Sequence, residues 1–572
     1  MKPYFSLIAN HRGLSAVFLL VLGCVLNLPG TSSLPLMDRD EPKFAQATWE
    51  MIETDQFTIP YFNQGYRFDK PPLTYWWMRG HYHLLGKTEI GARLHSVVAS
   101  ILTAYVIYLF GSFLVSREAG LFSGIAWLSC FQVLIHSRLS VADMPLLLGV
   151  VITMYALARL LLPEKEPRKF GKYYWVLIFG LVFGFLTKGP VAWIIPALSL
   201  LLWRWPIGRQ PIRWRRIQPV TSLLIATVMV GLWGIRALWL TDGSYWDVGV
   251  GEHVVKRGFS AFNGRVNIPV VYYLGTGIVS LLPWSAFLPG AVIVSKEALK
   301  RNPARSFLLA WFLAPFCVFA LYATQLPHYI LPGFPALMLL LFANGKLEKL
   351  DSRLRKNWFR FVVGLMLVVA LTVVGAGMFK VFPEPMEAIN RLILLAGGLV
   401  GLIGVCLPLS IVLIQKHKRC WPVLIAVAGI AGVLTHILTL EIRKVHPIIL
   451  MKETGVFAET DGVKFVAQGF SEPSWVFYEW SGEPWNLTGD LGEAVRFMEG
   501  EGKRAGIFLT EEWRIGEKAV LAKFRGEPAP RLRDQREVIE KAFPRSDYKI
   551  AEVSGLNIAR TSWVKIRFIQ PR

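Results

Sequence analysis

Long apolar runs alternate with polar connections over roughly the first 440 residues of the chain. About thirteen of these runs reach the 18 to 25 residues that a helix needs to cross a hydrocarbon core of about 30 Å. The predicted spans are residues 14–30, 91–115, 119–136, 141–162, 173–188, 190–203, 219–240, 269–294, 306–323, 329–345, 358–380, 391–415 and 421–441. A break at Lys188-Gly189-Pro190 leaves open whether two of them form one interrupted segment. The pattern predicts a polytopic α-helical membrane protein.

The pattern changes after about residue 445, where short runs of β-branched and aromatic residues alternate with polar turns. Runs of this kind are typical of strands. Strands are predicted at 463–467, 474–478, 506–509 and 563–568, and helices at 493–501 and 512–524. The expected organisation is a transmembrane domain over residues 1–444 and a soluble α/β domain over residues 445–572. No catalytic constellation stands out in the second domain.

Composition agrees with a membrane protein, since 53% of the residues are hydrophobic and the mean hydropathy is +0.42. The net charge of +22 would favour nucleic-acid binding in a soluble chain. Here Lys and Arg residues cluster in alternate short loops between apolar runs, at 165–172, 204–216, 296–305, 346–360 and 416–419. Such loops are cytoplasmic in membrane proteins. We therefore expect no nucleic-acid partner.

The alternation then places the loops at 31–90, 138–145, 241–268 and 324–332, and the C-terminal domain, on the opposite side. The expected location is the bacterial cytoplasmic (inner) membrane, with these loops facing the periplasm.

The first of these loops breaks the charge rule. It carries six cations on the side that is usually poor in them, and acidic residues lie among them; the set is Asp38, Arg39, Asp40, Glu41, Lys43, Arg67, Asp69, Lys70, Arg79 and Lys87. Cations on this side of the membrane usually serve to bind an anion. Apolar spacing also predicts helices at 41–52 and 73–85, which are expected to lie at the membrane interface.

The other loops on this side add further polar residues. Asp143 stands at the mouth of a helix, where Arg138 is its expected ion-pair partner and a role in the site is an equal alternative. His253, Lys256 and Arg257 lie in the third loop, and Tyr329 lies in the fourth. Carboxylates, cations and hydroxyls together suit transfer to or from a phosphorylated lipid, because cations hold the departing phosphate and a carboxylate accepts a proton.

Several short motifs occur in a particular order: Asp40-Glu41 with Phe44-Ala45, Phe68-Asp69-Lys70-Pro71-Pro72-Leu73, Ala142-Asp143-Met144-Pro145, Glu252-His253, and Leu326-Pro327-His328-Tyr329-Ile330-Leu331-Pro332. As a set they resemble the aminoarabinose transferase (ArnT-like) and protein O-mannosyltransferase superfamily. These are GT-C glycosyltransferases, which use polyprenyl-phosphate sugars. The resemblance covers roughly residues 36 to 345 and implies the GT-C fold.

The resemblance also implies roles for individual residues. Asp40 would be the catalytic acid/base residue, Glu41 would complete its acidic pair, and Asp143 would be a second acidic residue near the sugar or acceptor. Lys70, Lys256, Arg257 and Tyr329 would hold the donor phosphate. Asp69 and His253 match positions implicated in binding a divalent ion, zinc or magnesium, although two ligands alone make a weak site.

Three departures from the family pattern are evident. Asp69 replaces the usual Glu, Phe44 stands where Tyr is frequent, and Gln325 occupies a position commonly held by Lys. The first shortens the metal ligand, the second removes a hydroxyl, and the third removes a phosphate-binding charge. They indicate a relative with its own substrate.

The predicted activity is inverting transfer of a hexosyl or pentosyl unit from a polyprenyl-phosphate donor to lipid A, a glycan or a protein. The alternative is a transporter or flippase of lipid-linked sugars. A transporter would place charges near the bilayer midplane, whereas here the titratable residues gather in loops. The sequence therefore favours the transferase.

Overall fold

The structure is a computed structural model that describes residues 7–256, 269–347, 349–416, 421–458 and 462–572. The helices before residue 445 are α1 (Arg12–Asn27), α2 (Glu41–Glu53), α3 (Leu73–Leu85), α4 (Glu89–Leu114), α5 (Arg117–Leu128), α6 (Phe131–His136), α7 (Asp143–Leu161), α8 (Lys172–Lys188), α9 (Val191–Arg204), α10 (Trp214–Ile217), α11 (Pro219–Leu240), α12 (Pro269–Ser280), α13 (Leu288–Val292), α14 (Lys296–Arg301), α15 (Pro303–Ala320), α16 (Phe334–Leu341), α17 (Arg353–Met378), α18 (Ala388–Gly401), α19 (Leu407–Lys416) and α20 (Trp421–Arg443). Segments Tyr245–Lys256 and Leu402–Cys406 are π-helical, and Trp284–Phe287 and Pro327–Gly333 are 3₁₀-helical.

The predicted helical membrane domain is confirmed. Each predicted span coincides with one helix or a broken pair, and the interruption after Lys188 separates α8 from α9. Within the described residues, seven helices are long and apolar enough to cross a membrane, or eight if a pair bent by 111° between Val271 and Val292 forms one span. The predicted number of thirteen is not confirmed, because several helices, such as α1 and α9, are shorter than a full span.

Helices α7 and α8 pack closely enough for their backbones to touch. A Cβ atom on Gly149 would lie 2.7 Å from the Cα of Gly184, so both positions require glycine. Small residues of this kind let membrane helices approach one another. Because the two helices are sequential and antiparallel, the first residue of α7, Asp143, is brought beside the last residue of α8, Lys188.

The first loop contains both predicted helices, α2 and α3, and a two-stranded hairpin of β1 (Tyr61–Phe62) and β2 (Gly65–Tyr66). The location of α2 at the membrane interface stays a prediction. Its apolar side chains are buried in a protein core that includes Phe44, Tyr75 and, from the C-terminal region, Phe477. The aromatic rings of this helix therefore pack against protein on more than one side.

The C-terminal region is mixed α/β. Its elements are α21 (Pro447–Glu453), β3 (Lys464–Gln468), α22 (Ser474–Tyr478), β4 (Asn486–Thr488), α23 (Leu491–Met498), β5 (Arg504–Arg514), α24 (Glu517–Phe524), β6 (Arg531–Asp534), α25 (Arg536–Ala542), β7 (Tyr548–Asn557) and β8 (Ser562–Pro571). The sheet order is β4-β3-β5-β8-β7, with β6 also paired to β5. Strand β3 runs parallel to β4 and β5, while β8 runs antiparallel to β5 and β7.

One assignment in this region is wrong, because residues 474–478 form helix α22 rather than a strand. The helix predicted at 512–524 is present but begins at Glu517, because β5 continues to Arg514. Strands β4, β6 and β7 are additional to the prediction. An apolar run of five residues looks the same in a buried strand and in a short buried helix, so periodicity alone does not separate them.

The C-terminal region packs on the helical domain at two places. One apolar core joins the connection between α17 and α18, including Phe382 and Met386, to Trp513 and Trp563 of the sheet. The other is the core around α2 that receives Phe477. The end of the helical bundle that carries residues 28–88 and contacts the C-terminal region is called the loop end below.

Candidate active site

Glu41 is the most completely bonded carboxylate of the first loop. Its side chain is 2% exposed and forms a two-pronged ion pair with Arg93, in which Nε donates to Oε1 at 2.9 Å and Nη2 donates to Oε2 at 2.8 Å. Two backbone N–H groups also donate to it, from Met37 at 2.8 Å and from Ser140 at 2.6 Å. Bonding of this kind satisfies a buried carboxylate fully.

Both oxygens of Glu41 are occupied by protein donors, and the catalytic role predicted for this residue stays a prediction. Arg93 is fully buried and donates further hydrogen bonds to the carbonyls of Thr31 and Pro35. The pair therefore joins the first loop, the start of α4 and the turn before α7, next to Asp40.

Asp40 itself is exposed and occupies the N-cap position of α2, where its side chain forms no cap hydrogen bond. Arg67 lies nearby, 7% exposed, with Nη2 at 2.9 Å from Asp69 Oδ2 and Nε donating to Tyr75 Oη at 3.0 Å. Burial would lower the pKa of Arg67, but the nearby Tyr75, Asp69 and Asp40 more than offset it and leave the pKa raised. An accessible carboxylate thus stands beside a held guanidinium, as a base beside an anion site requires.

Lys70 precedes a helix that lines an apolar cavity. Its ammonium donates to the carbonyl of Asp69 at 2.8 Å, and α3 begins three residues later at Leu73. The cavity has a volume of about 540 Å³ and is lined by α3, α4, α7 and α8, through Leu73, Trp76, Trp77, Leu102, Tyr105, Val106, Leu148, Ile152, Phe179 and Phe183. Because Leu73 lines the cavity, Lys70 is three residues along the chain from it.

Asp143 pairs with a residue other than the predicted one. Lys188 Nζ donates to its Oδ1 at 2.6 Å, and His328 Nε2 lies 3.9 Å from the same oxygen. Arg138 instead donates to backbone carbonyls, including that of Pro29 at 2.8 Å, so the predicted Arg138 partnership is wrong. Asp143 is 14% exposed, and the cluster around it remains partly open to solvent.

Tyr329 belongs to the same neighbourhood. Its ring packs 5.1 Å from the ring of His328 and 4.8 Å from that of Phe319, in the 3₁₀-helical segment that follows α15. His328 in turn lies 4.7 Å from the ring of His136. The structure therefore connects Tyr329 to Asp143 through His328. The phosphate-binding role of Tyr329 stays a prediction.

The third loop approaches the first at the predicted metal position. Tyr245 packs edge-on against Phe68 at 5.4 Å, and a Cβ on Gly249 would lie 3.0 Å from the Phe68 carbonyl. The side chains of His253 and Lys256, and all of Arg257, lie outside the described residues. Their predicted roles stay predictions.

The donor set for a divalent ion does not fit the residues that the structure describes. One oxygen of Asp69 is engaged by Arg67, and no three His, Cys, Asp or Glu side chains within the described ranges are grouped as ligands. A site closed by one shared carboxylate would hold zinc or magnesium weakly. The predicted divalent ion stays a prediction, because the side chain of its second predicted ligand, His253, lies outside the described residues.

Asp38 lies at the contact with the C-terminal region. Its Oδ1 accepts the N–H of Ser474 at 3.1 Å. Burial, the nearby charge of Glu472 and, less strongly, that of Glu41 raise the pKa of Asp38 to about 7, while the Ser474 hydrogen bond opposes the rise. The folded state thus favours protonation of Asp38.

Asp38→Asn is expected to flatten the pH dependence of stability. Because the pKa is raised in the folded state, the contribution of Asp38 is full below about pH 4 and is lost as pH rises through about 7. Over this pH range the contribution of Asp38 to the free energy of unfolding changes by at most about 4 kcal/mol, and by less because the carboxyl is partly exposed. Thermal unfolding of the full chain from pH 5 to 8.5 measures it. Asp547→Asn, an exposed carboxyl far from this contact, is the control; parallel profiles for Asp38→Asn and wild type would contradict the assignment.

The sequence of this chain is similar to those of several known proteins. The profile described as dolichyl-phosphate-mannose-protein mannosyltransferase matches residues 69–233. Undecaprenyl phosphate-alpha-4-amino-4-deoxy-L-arabinose arabinosyl transferases are similar along much of the chain. The protein of Aeromonas salmonicida is 30% identical over 60% of this chain and 62% of its own length, and that of Photorhabdus laumondii is 28% identical over 69% and 72%.

The chain is thus similar to members of the aminoarabinose transferase and protein O-mannosyltransferase superfamily. Its match spans about 62% of the length of the Aeromonas hydrophila relative, which is 29% identical. The superfamily resemblance expected from the loop motifs is thereby confirmed, and the chain is a multi-pass membrane protein.

Solved structures confirm the GT-C fold. The crystal structure of ArnT from Cupriavidus metallidurans bound to undecaprenyl phosphate covers 97% of this chain and 98% of its own, with a TM-score of 0.69 and 17% identity. Its apo form covers 88% and 95%, with a TM-score of 0.67. The agreement includes the C-terminal region, because nearly the whole of both chains is aligned.

Residues that sequence reasoning did not assign complete the site. Arg93 and Lys188 are the two cations that hold Glu41 and Asp143, and Arg67 holds Asp69. The sequence contains a signal for Arg93 and for Lys188. Arg93 lies inside an apolar run, and Lys188 ends an apolar helix on the side where Lys is rare, so each needed an acidic partner. Which acid it was depended on the packing.

Proposed function

We propose that this protein transfers a sugar from a polyprenyl-phosphate donor to an acceptor at the loop end of the membrane domain. The observation that carries the proposal is the apolar cavity lined by Leu73, which is three residues along the chain from Lys70, with Asp40 and Arg67 in the same loop as Lys70. The cavity suits the polyprenyl chain, and the cations suit its phosphate. The relatives named above act on undecaprenyl-phosphate aminoarabinose, so a pentosyl donor of that class is the first substrate to test.

The proposed reaction is a single displacement. The acceptor oxygen attacks the anomeric carbon as the bond from that carbon to the phosphate oxygen breaks, and polyprenyl phosphate leaves with both electrons of that bond. If the acceptor is a hydroxyl, its proton passes to the Asp40 carboxylate. Lys70 balances the charge on the departing phosphate, with Lys256, Arg257 and Tyr329 as further proposed phosphate ligands. Asp143, held by Lys188, is proposed to orient the sugar or the acceptor.

The proposed orientation puts this end of the bundle in the periplasm of a bacterial inner membrane. The basic loops at the opposite end support it, since cytoplasmic loops are rich in Lys and Arg. The transporter alternative is disfavoured. The ionisable residues Arg93, Asp143 and Lys188 lie at helix ends rather than at mid-span, which suits a reaction at the membrane surface.

The test is transfer by the purified full chain in liposomes, with radiolabelled undecaprenyl-phosphate aminoarabinose or a hexosyl analogue as donor. Lipid A, an outer-membrane glycan fraction and a Ser/Thr peptide are the acceptor arms, and mass spectrometry identifies the product. A labelled acceptor with loss of donor supports the proposal. Movement of intact donor between leaflets, without transfer to any acceptor, would replace it with the flippase.

Lys70→Met is expected to raise KM for the donor by about 10- to 100-fold, because a charge-assisted hydrogen bond to phosphate contributes about 1.5 to 3 kcal/mol. Lys70→Arg should retain part of the affinity. Lys43→Met removes a cation from the same loop, on α2, and should leave KM unchanged. A Lys70→Met variant with wild-type KM would exclude Lys70 as a phosphate ligand.

A further inference from the structure

Helix α22 lies between the C-terminal sheet and the first loop, and it forms hydrogen bonds with Leu36 and Asp38 of that loop. The N–H of Leu36 donates to Tyr478 Oη at 2.9 Å, and the N–H of Ser474 donates to Asp38 Oδ1 at 3.1 Å. Phe477, 5% exposed, lies in the same apolar core as Phe44 of α2. The five residues of α22 thus contact both the chain that enters Asp40 and the helix that follows it.

The Tyr478 hydroxyl joins three segments. It accepts from Leu36 and donates to Glu89 Oε1 at 3.2 Å. Glu89 is the first residue of α4 and also lies 3.5 Å from Arg443 at the end of α20. A buried hydroxyl that both donates and accepts leaves two groups unsatisfied when it is removed.

Three consecutive residues shortly before Asp40, residues 36 to 38, each form a hydrogen bond. Leu36 is held by Tyr478, Met37 donates to Glu41 at 2.8 Å, and Asp38 is held by Ser474. Two of these three bonds come from the C-terminal region. Asp40 follows two residues later and begins α2, so the position of its carboxylate depends on this segment.

The C-terminal side of the contact is itself rigid. Glu472, 1% exposed, accepts from Asn557 at 3.0 Å and pairs with Arg560 at 2.7 Å, which ties the start of α22 to the turn after β7. The far end of α2 is held as well, since Trp480 Nε1 donates to Glu53 Oε2 at 2.8 Å. The segment that precedes α2 and the far end of α2 are therefore both bonded to residues 474–480.

We infer that Tyr478 and Asp38 are positioning residues, through which helix α22 holds residues 36–40 so that Asp40 meets the acceptor. The inference rests on the proposed function only for the role of Asp40. The C-terminal region then takes part in catalysis without supplying a group that touches substrate.

Tyr478→Phe is the first test. Hydrogen exchange of the amides of residues 36–41, measured by mass spectrometry on the full chain in nanodiscs, is expected to accelerate by about 10-fold or more because the Leu36 N–H loses its acceptor. The kcat of sugar transfer should fall by about 10- to 100-fold with donor KM unchanged, since small displacements of a reacting group are costly. Tyr548→Phe, on β7 and away from the first loop, is the matched control and should alter neither quantity.

Asp38 provides the second test. Asp38→Ala removes the acceptor of the Ser474 N–H and should lower kcat and raise exchange as Tyr478→Phe does. Asp38→Asn keeps an acceptor oxygen and should restore both to near wild-type values. Rescue by Asn and not by Ala separates positioning from a general loss of stability, which would affect exchange throughout the chain.

Sugar transfer and hydrogen exchange test the proposed function and the positioning role separately, so a negative result for one does not decide the other. If the wild-type chain transfers no sugar from any donor, the proposed function is lost, yet the exchange of residues 36–41 still reports whether α22 holds this segment. If Tyr478→Phe and Asp38→Ala leave exchange and kcat at wild-type values, the inference is overturned while the proposed function stands. Faster exchange with unchanged kcat would likewise overturn it, because the segment would then be held without consequence for Asp40.

Discussion

Asp40→Asn is expected to reduce sugar transfer to a hydroxyl acceptor by about 10²- to 10⁴-fold, the range that removal of a general base commonly gives. Asparagine keeps the shape of the side chain and its cap position at α2, so folding should be preserved. Donor KM should change little, because the phosphate is bound by other residues. The measurement is initial rate in the liposome assay, together with thermal unfolding to show that the variant is folded.

The size of this loss also identifies the acceptor class. A phosphate acceptor is already ionised and needs no base, so with such an acceptor the loss should shrink to about 10-fold. Asp55→Asn is the matched control, since Asp55 is an exposed carboxylate of the same loop whose partner is Arg79 at 3.0 Å. Wild-type turnover by Asp40→Asn with a hydroxyl acceptor would remove Asp40 from the mechanism.

Glu41→Gln is expected to destabilise the protein by about 3 to 5 kcal/mol, which is the cost of leaving one member of a buried ion pair uncompensated. The reason is that Arg93 is fully buried and would lose its counter-charge and one of its two hydrogen bonds to residue 41, because the amide NH2 of Gln would face a guanidinium donor. The yield of folded protein and the midpoint of thermal unfolding measure the effect. Loss of activity should follow the loss of folded protein.

The double variant Glu41→Leu/Arg93→Met is the control for this second prediction. Removing both charges removes the unpaired ion, so its destabilisation should be smaller than the sum for the two single variants. The result also decides between two roles for Glu41. A Glu41→Gln variant that unfolds at the wild-type temperature and loses only kcat would support the catalytic role that the family resemblance implies.

The helical part of the fold was predictable because a membrane imposes a simple condition on sequence. Each span must be apolar over a fixed length, so the spans at 91–115 and 358–380 were located to within a few residues of α4 and α17. The C-terminal region obeys no such condition. Residues 474–478 were assigned to a strand and form α22, since the choice depends on the aromatic core around Phe44 that only the folded chain assembles.

The candidate site was predictable to the level of loops and residue types. The charges of residues 36–70 stood out because cations are rare on that side of a membrane, and the order of motifs indicated the superfamily. Assigning Asp40 and Glu41 different roles was not possible from two adjacent carboxylates. The difference arises because Glu41 turns inward to Arg93, fifty-two residues away, while Asp40 stays exposed.

By itself the sequence determined that this protein is a multi-pass membrane protein of the GT-C type, with its chemistry concentrated in the loops at one end. The tertiary structure decided which residues form ion pairs and hydrogen bonds with one another. Close packing at Gly149 and Gly184 set Lys188, not Arg138, beside Asp143, and α22 brought Tyr478 to Leu36 across 442 residues of chain. Hydrophobic length is a local property that can be read along a chain, whereas ion pairs and hydrogen bonds depend on distances that exist only after packing.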